Sequence, residues 1–229
     1  MLLLLAAPVR GAWPGGTTVL ETFHNLTHPA AIAPMSGMIG NYAQACVYCH
    51  APHGSAGERP LWNRRLPSGP YRMYGPLNML GDPQPTGVSR NCLSCHDGTI
   101  GLDDVLVAPA GFTSAGPFRE TIQRCTSCHN GGNPAGGFNF EKLWFRPDDL
   151  RNQHPISVLY DASRDPNFLP AGSVVASGLV LEDGKVQCAT CHEPHTARYR
   201  PFLRIPNTNG SLCLLCHRTP PSRTTAHFW

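Results

Sequence analysis

Every cysteine in the 229-residue chain belongs to one short pattern, Cys-x-x-Cys-His, and this pattern occurs five times. The copies span residues 46–50, 92–96, 125–129, 188–192 and 213–217. Their first cysteines are separated by 46, 33, 63 and 25 residues, so no interval is long enough for an independent domain with its own core. The pattern therefore predicts one domain that is organised around whatever the five copies bind.

Cys-x-x-Cys-His is the attachment signature of c-type haem, in which two thiols add to the vinyl groups of the porphyrin and the adjacent histidine binds the iron. We therefore predict five c-type haems. The predicted attachment residues are Cys46, Cys49, Cys92, Cys95, Cys125, Cys128, Cys188, Cys191, Cys213 and Cys216. The predicted proximal iron ligands are His50, His96, His129, His192 and His217.

Three other uses of cysteine pairs fit the pattern less well. A disulfide scaffold would spread its cysteines at varied spacings, and a gap of two residues is too short for an ordinary structural bridge. Structural zinc uses Cys-x-x-Cys units two at a time and needs no histidine after each unit, whereas this chain has an odd number of them. A thioredoxin-like redox pair needs a βαβ context that the sequence lacks.

Each haem iron has a second axial position, which a residue outside the motifs must fill. Methionine would raise the reduction potential, but no methionine stands in a repeated context. We therefore predict histidine on both faces of every iron. The distal candidates are His24, His28, His53, His154 and His195, with His227 as the alternate. An iron that is closed on both faces cannot bind a substrate, so the pattern favours electron transfer over catalysis.

Two distal candidates follow a motif histidine by three residues, His53 in Cys-His-Ala-Pro-His and His195 in Cys-His-Glu-Pro-His. If the motif forms a helical turn, residues three apart lie on one face. The two axial ligands of an iron stand on opposite faces of the porphyrin. We therefore expect His53 and His195 each to reach the iron of a neighbouring haem, which would bring haem planes close together.

The remaining candidates lie in different contexts. His154 precedes a proline, which favours an extended and stiffened loop. His24 and His28 are four residues apart, a spacing that could present both rings from one helical face. His227 stands three residues from the end of the sequence, where chains are commonly disordered.

The composition predicts a largely irregular backbone, because 23 glycines and 23 prolines interrupt helices and sheets. With 41% hydrophobic and 14% charged residues, the chain does not have the composition of a disordered protein. We predict coil with short helical turns at the motifs and one or two β-hairpins, wrapped as a single domain around the haems. A hairpin is expected over 177–188, turning at Asp183-Gly184, and a short strand over 104–108.

The first 20 residues form an apolar N-terminal segment. Its start, MLLLLAAPV, resembles the core of a secretory signal, although no charged region precedes it. Nine residues are too few to span a bilayer, which takes about 20. We predict a signal-peptide remnant at 1–20, or alternatively a short buried segment, and a pentahaem domain at 21–229. No transmembrane segment is expected, and a formal charge of +3 without a Lys/Arg run gives no sign of nucleic-acid binding.

The residues around the motifs resemble the doubled-motif multihaem c-type cytochromes of metal-respiring microbes, which include tetrahaem subunits of extracellular nanowires. The matching runs are 24–27, 46–54, 60–64, 92–100, 154–157 and 184–195. The resemblance implies a little-regular fold and low-potential irons with two histidine ligands. It implies as distal ligands His24, His53, His154 and His195. The motif at 125–129 departs from the tetrahaem pattern and needs a further ligand, His28 or His227.

The expected function is electron transfer along five closely spaced haems, with redox proteins or extracellular acceptors as partners. We expect an extracellular protein, or else a periplasmic one, that polymerises head to tail by lending His24 or His28 to the next subunit. Two alternatives remain: a soluble shuttle that serves a reductase, and a multihaem reductase with one open iron. A multihaem nitrite reductase would replace a motif histidine by lysine, which no motif here does.

Overall fold

The fold is described from a computed structural model, which covers residues 17–28, 38–55, 61–75, 80–112, 120–130, 139–151 and 153–219. The α-helices are α1 (Gly87–His96), α2 (Ile122–Thr126), α3 (Ala171–Ala176) and α4 (Cys188–Cys191). The 3-10 turns are Val19–Glu21, Ala45–Tyr48, Phe140–Leu143, Thr208–Gly210 and Cys213–Leu215. Most of the remaining described backbone is irregular, so the prediction of coil with short helices is confirmed.

Each motif forms or ends a helical turn. The first and fifth motifs lie on the 3-10 turns at 45–48 and 213–215, and the other three lie on α1, α2 and α4. In four of the motifs the histidine N–H donates to the carbonyl of the first cysteine, at 2.8 to 3.0 Å. Because this bond closes one helical turn, it places both cysteines and the histidine of a motif on neighbouring positions of that turn.

The longest helix, α1, is fixed at both ends. Glu182 accepts a hydrogen bond from the N–H of Val88 in the first turn, at 2.9 Å, where a carboxylate also complements the helix dipole. At the other end the Trp144 indole donates to the carbonyl of Asp97, at 3.0 Å. The second motif, at the C-terminal end of α1, therefore has a well-defined position.

Two short strands, β1 (Val158–Leu159) and β2 (Lys185–Val186), pair antiparallel, with Val158 opposite Val186. The expected turn at Asp183-Gly184 is present, and both residues have positive φ. A single bridge, Glu182 to Lys185, joins its two arms. The prediction of a longer hairpin over 177–188 is wrong, since β2 takes β1 as its partner.

The strand predicted over 104–108 is also wrong. This segment is bent, and Leu106 and Val107 bond to Asn63 instead of to a neighbouring strand. Asn63 accepts from the N–H groups of Leu106 and Val107, at 2.9 and 2.8 Å, and its side chain donates to the Val107 carbonyl, at 2.8 Å. A buried asparagine thus satisfies the backbone that a strand partner would have satisfied.

Small apolar clusters replace a single large core. One contains Val174, Leu179, Leu203 and Leu212, and Cys191 and Cys216 pack against it. A second contains Ile39, Leu102 and Ile122 beside Cys95. A third contains Tyr42, Tyr48 and Val105 beside Cys49. The apolar side chains therefore gather around the motif cysteines, as expected for a fold that depends on a cofactor.

Within the described ranges, no helix has the length and apolar character needed to cross a membrane. The apolar start of the chain lies outside the described residues, apart from 17–20. The predicted signal-peptide remnant and the division at residue 21 stay predictions.

Candidate functional site

A four-residue segment, 61–64, fastens the first motif to the second. On one side, the N–H of Ala51 donates to the carbonyl of Leu61, at 3.0 Å, and the N–H of Asn63 donates to the carbonyl of Cys49, at 2.8 Å. On the other side, the Trp62 indole donates to the Ser94 hydroxyl, at 3.2 Å. We call residues 61–64 the clamp.

Arg64 completes the clamp from a fully buried position. Its guanidinium donates to the carbonyls of Ser94, Gly101 and Leu102, at 3.1, 2.6 and 2.9 Å. Among the described residues no carboxylate pairs with it, and its Nε has no hydrogen-bond partner. Backbone dipoles alone therefore compensate a buried positive charge, which lies beside the second motif.

The second, fourth and fifth motifs are also neighbours. The Ser89 hydroxyl on α1 accepts from the N–H of Cys188 on α4, at 3.0 Å. Cys191 and Cys216 pack on the same apolar cluster. Desolvation raises the pKa of Cys191 to about 12 and that of Cys216 to about 11, so both thiols are neutral and shielded from water.

The third motif lies beside the second. Ile122 on α2 packs with Leu102 and Cys95, and the 3-10 turn Phe140–Leu143 contacts α2. The motifs thus follow the spatial order first, second, fourth, fifth, with the third at the side of the second.

Three histidines outside the motifs face three motif histidines at nearly equal separations. The ring centres are 6.3 Å apart for His24 and His96, 6.1 Å for His195 and His50, and 6.4 Å for His154 and His217. A metal–imidazole bond is about 2 Å long, so two imidazoles on opposite sides of one metal ion have ring centres about 6 Å apart. Each pair therefore has room for one metal ion between its rings.

Hydrogen bonds through Nδ1 fix the ring orientation of four of these six histidines and of the motif histidine His192. His24, His96, His154 and His192 donate to backbone carbonyls at 2.9 to 3.1 Å, whereas His195 donates to the carboxylate of Glu193 at 2.8 Å. With the proton on Nδ1, the lone pair remains on Nε2. Metal-binding histidines in proteins are oriented in this way.

Five of the histidines have lowered pKa values, which favour the neutral form that ligation requires. Desolvation, helped by the neighbouring His96, lowers the pKa of His24 to about 4. Desolvation also lowers the pKa values of His96, His154, His192 and His217. These histidines are therefore better suited to be axial ligands of haem irons than to be solvent-exposed basic groups.

The other distal candidates are placed differently. His53 is exposed and, within the described part of the chain, has no ring contact with a motif histidine. His28 is half-buried, and its N–H donates to the carbonyl of Asn25 at 3.0 Å. His227 lies outside the described residues. The ligand roles of these three histidines stay predictions.

Several residues of the site were missed at the level of sequence. Phe202 stacks on the ring of His24, with centroids 4.4 Å apart, and Pro201 supplies the carbonyl that accepts from His192. For Arg64 and Glu193, the surrounding sequence contained a feature that could have pointed to them. Arg64 lies in the run Leu-Trp-Asn-Arg, and Glu193 distinguishes Cys-His-Glu-Pro-His from Cys-His-Ala-Pro-His.

Helical Cys-x-x-Cys-His turns beside histidines whose rings are held by hydrogen bonds indicate a multihaem c-type cytochrome-like protein that binds haem covalently. A family model for the doubled CXXCH motif matches residues 180–221, which include the fourth and fifth motifs. A comparison with the curated proteins finds no match to the chain. Haem of this type is attached outside the cytoplasm, so the chain is exported, and its class points to electron transfer.

Proposed function

We propose that the chain carries five haems and conducts electrons between redox partners outside the cytoplasm. The observation that carries the proposal is the uniform separation, 6.1 to 6.4 Å, of three pairs of histidine rings. Bound haem supplies the redox chemistry, because its iron alternates between ferric and ferrous states. The chain supplies attachment, ligands and a water-poor environment.

In this proposal the three ring pairs are the axial ligand sets of three irons. His50 and His195 hold the haem of the first motif, His24 and His96 that of the second, and His154 and His217 that of the fifth. His195 thereby links the fourth motif to the first haem, as its spacing from His192 predicts. The haems at His129 and His192 take their second ligands from His28, His53 and His227.

Closed irons favour electron transfer over catalysis, because a ligand on each face leaves no position for a substrate. The Nδ1 hydrogen bonds support this reading, since they hold each ring at the orientation of a ligand and keep it from swinging away. We therefore propose that the protein is not an enzyme. A reductase with one open iron is the alternative, at one of the two haems whose second ligand is not yet assigned.

The spatial order of the motifs supports a continuous path. The clamp joins the first motif to the second, α1 and α4 join the second to the fourth, and one apolar cluster joins the fourth to the fifth. We propose that electrons follow this order, with the third haem as a branch beside the second.

We further propose that the protein forms an extracellular filament by head-to-tail contact, in which each subunit lends one histidine to the next. His24 is a poor candidate for the lent ligand, because its ring lies 6.3 Å from His96 of the same chain. The candidates are therefore His28, the exposed His53 and His227. A soluble shuttle is the alternative assembly.

Two measurements on the holoprotein test the haem content and its ligation. The mass under denaturing conditions should correspond to five haems, and a variant with Cys213→Ala and Cys216→Ala should retain four. Carbon monoxide should leave the Soret band of the reduced wild-type protein unshifted. Fewer than five haems in the wild type would overturn the proposed haem content, and carbon monoxide bound to any of them would overturn the closed irons and favour the reductase.

Electron microscopy and particle size in solution test the filament. Wild-type protein should form long particles, and His28→Ala should shorten or abolish them while five haems stay attached. His24→Ala is the matched comparison, since it should open an iron within the subunit. A wild-type protein that elutes only as a monomer would contradict the filament and favour the shuttle.

A further inference from the structure

Among the oriented histidines, His195 has a charged hydrogen-bond partner. Glu193 Oε1 accepts from Nδ1 of His195 at 2.8 Å and from its backbone N–H at 3.3 Å. The other carboxylate oxygen accepts from Nη1 of Arg204 at 3.0 Å. The carboxylate is therefore held between an imidazole and a guanidinium.

Arg204 is itself fixed to the fourth motif. Its Nε donates to the carbonyl of Ala189 at 2.6 Å, and its backbone N–H donates to the carbonyl of Cys191 at 2.9 Å. The N–H of Glu193 donates to the carbonyl of Phe202 at 2.7 Å. These bonds leave the Glu193 carboxylate little freedom to turn away from His195, so the contact is built into the fold.

The other four Nδ1 bonds end on neutral backbone carbonyls, those of Pro194, Leu143, Pro155 and Pro201. A carboxylate attracts the Nδ1 proton more strongly than a carbonyl does, and so increases the electron density on Nε2. A more basic ligand stabilises ferric over ferrous iron, which lowers the reduction potential. Arg204 offsets part of this effect from the other side of the carboxylate.

We propose that Glu193 is a positioning residue that acts through His195 to give the haem of the first motif the lowest reduction potential of the five haems. The inference rests on the proposed function, in which His50 and His195 share one iron. A low potential at the first haem also assigns a direction to the electron flow. The first haem receives electrons from the strongest reductant among the partners and passes them on to the second haem.

The sequence contains a natural contrast for this role. Glu193 stands directly after the motif histidine His192, and the corresponding residue after His50 is the buried Ala51. His53, the histidine of that segment, therefore has no carboxylate at the equivalent position. One of the two Cys-His-x-Pro-His segments thus carries the potential-lowering group.

The test is a spectroelectrochemical titration of the five-haem protein at one fixed pH. In Glu193→Gln the amide oxygen can still accept from Nδ1, but the negative charge is gone. The lowest midpoint potential should therefore rise while all haems stay low-spin. Asp149→Asn is the matched control, since Asp149 is an exposed carboxylate that pairs with Arg151. That control should leave the lowest midpoint unchanged.

Two further variants separate a specific effect from a structural one. Arg204→Met leaves the carboxylate uncompensated and should lower the same midpoint, opposite in sign to Glu193→Gln; this variant also serves if Glu193→Gln fails to yield holoprotein. In a His195→Ala background, Glu193→Gln should produce no additional shift, because the effect acts through His195.

An unchanged lowest midpoint in low-spin, five-haem Glu193→Gln would overturn the inference, and so would the same shift in the His195→Ala background. Either result would leave the proposed function intact. The proposed function itself would fail in a different way, if His195→Ala left the wild-type number of closed irons.

Discussion

The segments around the first and fourth motifs share the spacing Cys-His-x-Pro-His, yet they place their last histidines differently. His195 lies against His50, with ring centres 6.1 Å apart and ring planes 15° apart, and is oriented by Glu193. His53 is exposed, and in the described ranges its ring contacts no motif histidine. Spacing alone therefore does not make a histidine a ligand, and a second group must hold the ring.

The two segments also use charge differently. Near the first motif, the charge is the buried Arg64, which bonds to backbone carbonyls and fastens two motifs together. Near the fourth motif, Glu193 and Arg204 are partly exposed and act at a histidine. The first arrangement should contribute mainly to stability, and the second mainly to the reduction potential.

The largest difference is expected between His195→Ala and His53→Ala. Loss of His195 should convert the haem of the first motif, about one haem in five, to a high-spin form that binds carbon monoxide. His53→Ala in isolated monomers should leave that haem low-spin. Soret spectra of the reduced proteins with carbon monoxide make the comparison. Carbon monoxide binding by His195→Ala that is no greater than that of the wild type would contradict the ligand role of His195.

The next effect concerns stability. Arg64→Met removes a buried guanidinium and leaves the carbonyls of Ser94, Gly101 and Leu102 without their donor, which should cost about 3–5 kcal/mol of unfolding free energy. Arg65→Met is a matched control, because the Arg65 side chain is 62% exposed and pairs with a carboxylate, that of Asp104. The control should cost less than about 1 kcal/mol. Denaturant titration of the holoproteins gives both values, and a similar small loss in both variants would contradict the stabilising role of the clamp.

The smallest effect should come from the ion pair that precedes the fourth motif. Lys185 donates to Asp82 at 2.6 Å. Partial desolvation raises the pKa of Asp82, but the bonds from Lys185 and Thr86 outweigh it and bring the pKa below its ordinary value of 3.8. The bridge therefore stabilises the fold above that value, and the contribution is lost as the pH falls through the lowered pKa.

Because this pair is partly exposed, Asp82→Asn should cost roughly 0.5 kcal/mol near pH 7, and the difference from wild type should shrink below pH 4. Stability measured at several pH values would check this. A constant difference from pH 7 to pH 3 would show that the charge of Asp82 does not matter.

The sequence predicted the helical turns and the irregular backbone well, because both depend on local residues. Each motif supplies one turn, and glycines and prolines interrupt the rest. The clamp could not be predicted in the same way, since Asn63 and Arg64 bond to residues 14 to 44 positions away. The error at 104–108 has the same origin, because Asn63 took the place of a strand partner.

For the candidate site, the motif positions followed from sequence, but the pairing of rings did not. Nothing local to His24 indicates that His96 is its neighbour, or that the Pro194 carbonyl orients it. The spacing of His195 from His192 did indicate a neighbouring haem, although it did not identify which one. Glu193 was visible in the sequence, and its role became clear only with its contacts to His195 and Arg204.

The central claim, that out-of-motif and motif histidines share irons, is tested most directly by electron paramagnetic resonance of the oxidised holoprotein. Nearly parallel ring planes give a rhombic low-spin signal, and nearly perpendicular planes give a strongly axial one. The planes of His50 and His195 are 15° apart, whereas those of His24 and His96 are 83° apart. We therefore expect both signals in the wild type and, in His195→Ala, a rhombic signal that is weaker by about one haem. A spectrum dominated by high-spin iron, or a rhombic signal of undiminished intensity in His195→Ala, would contradict the account.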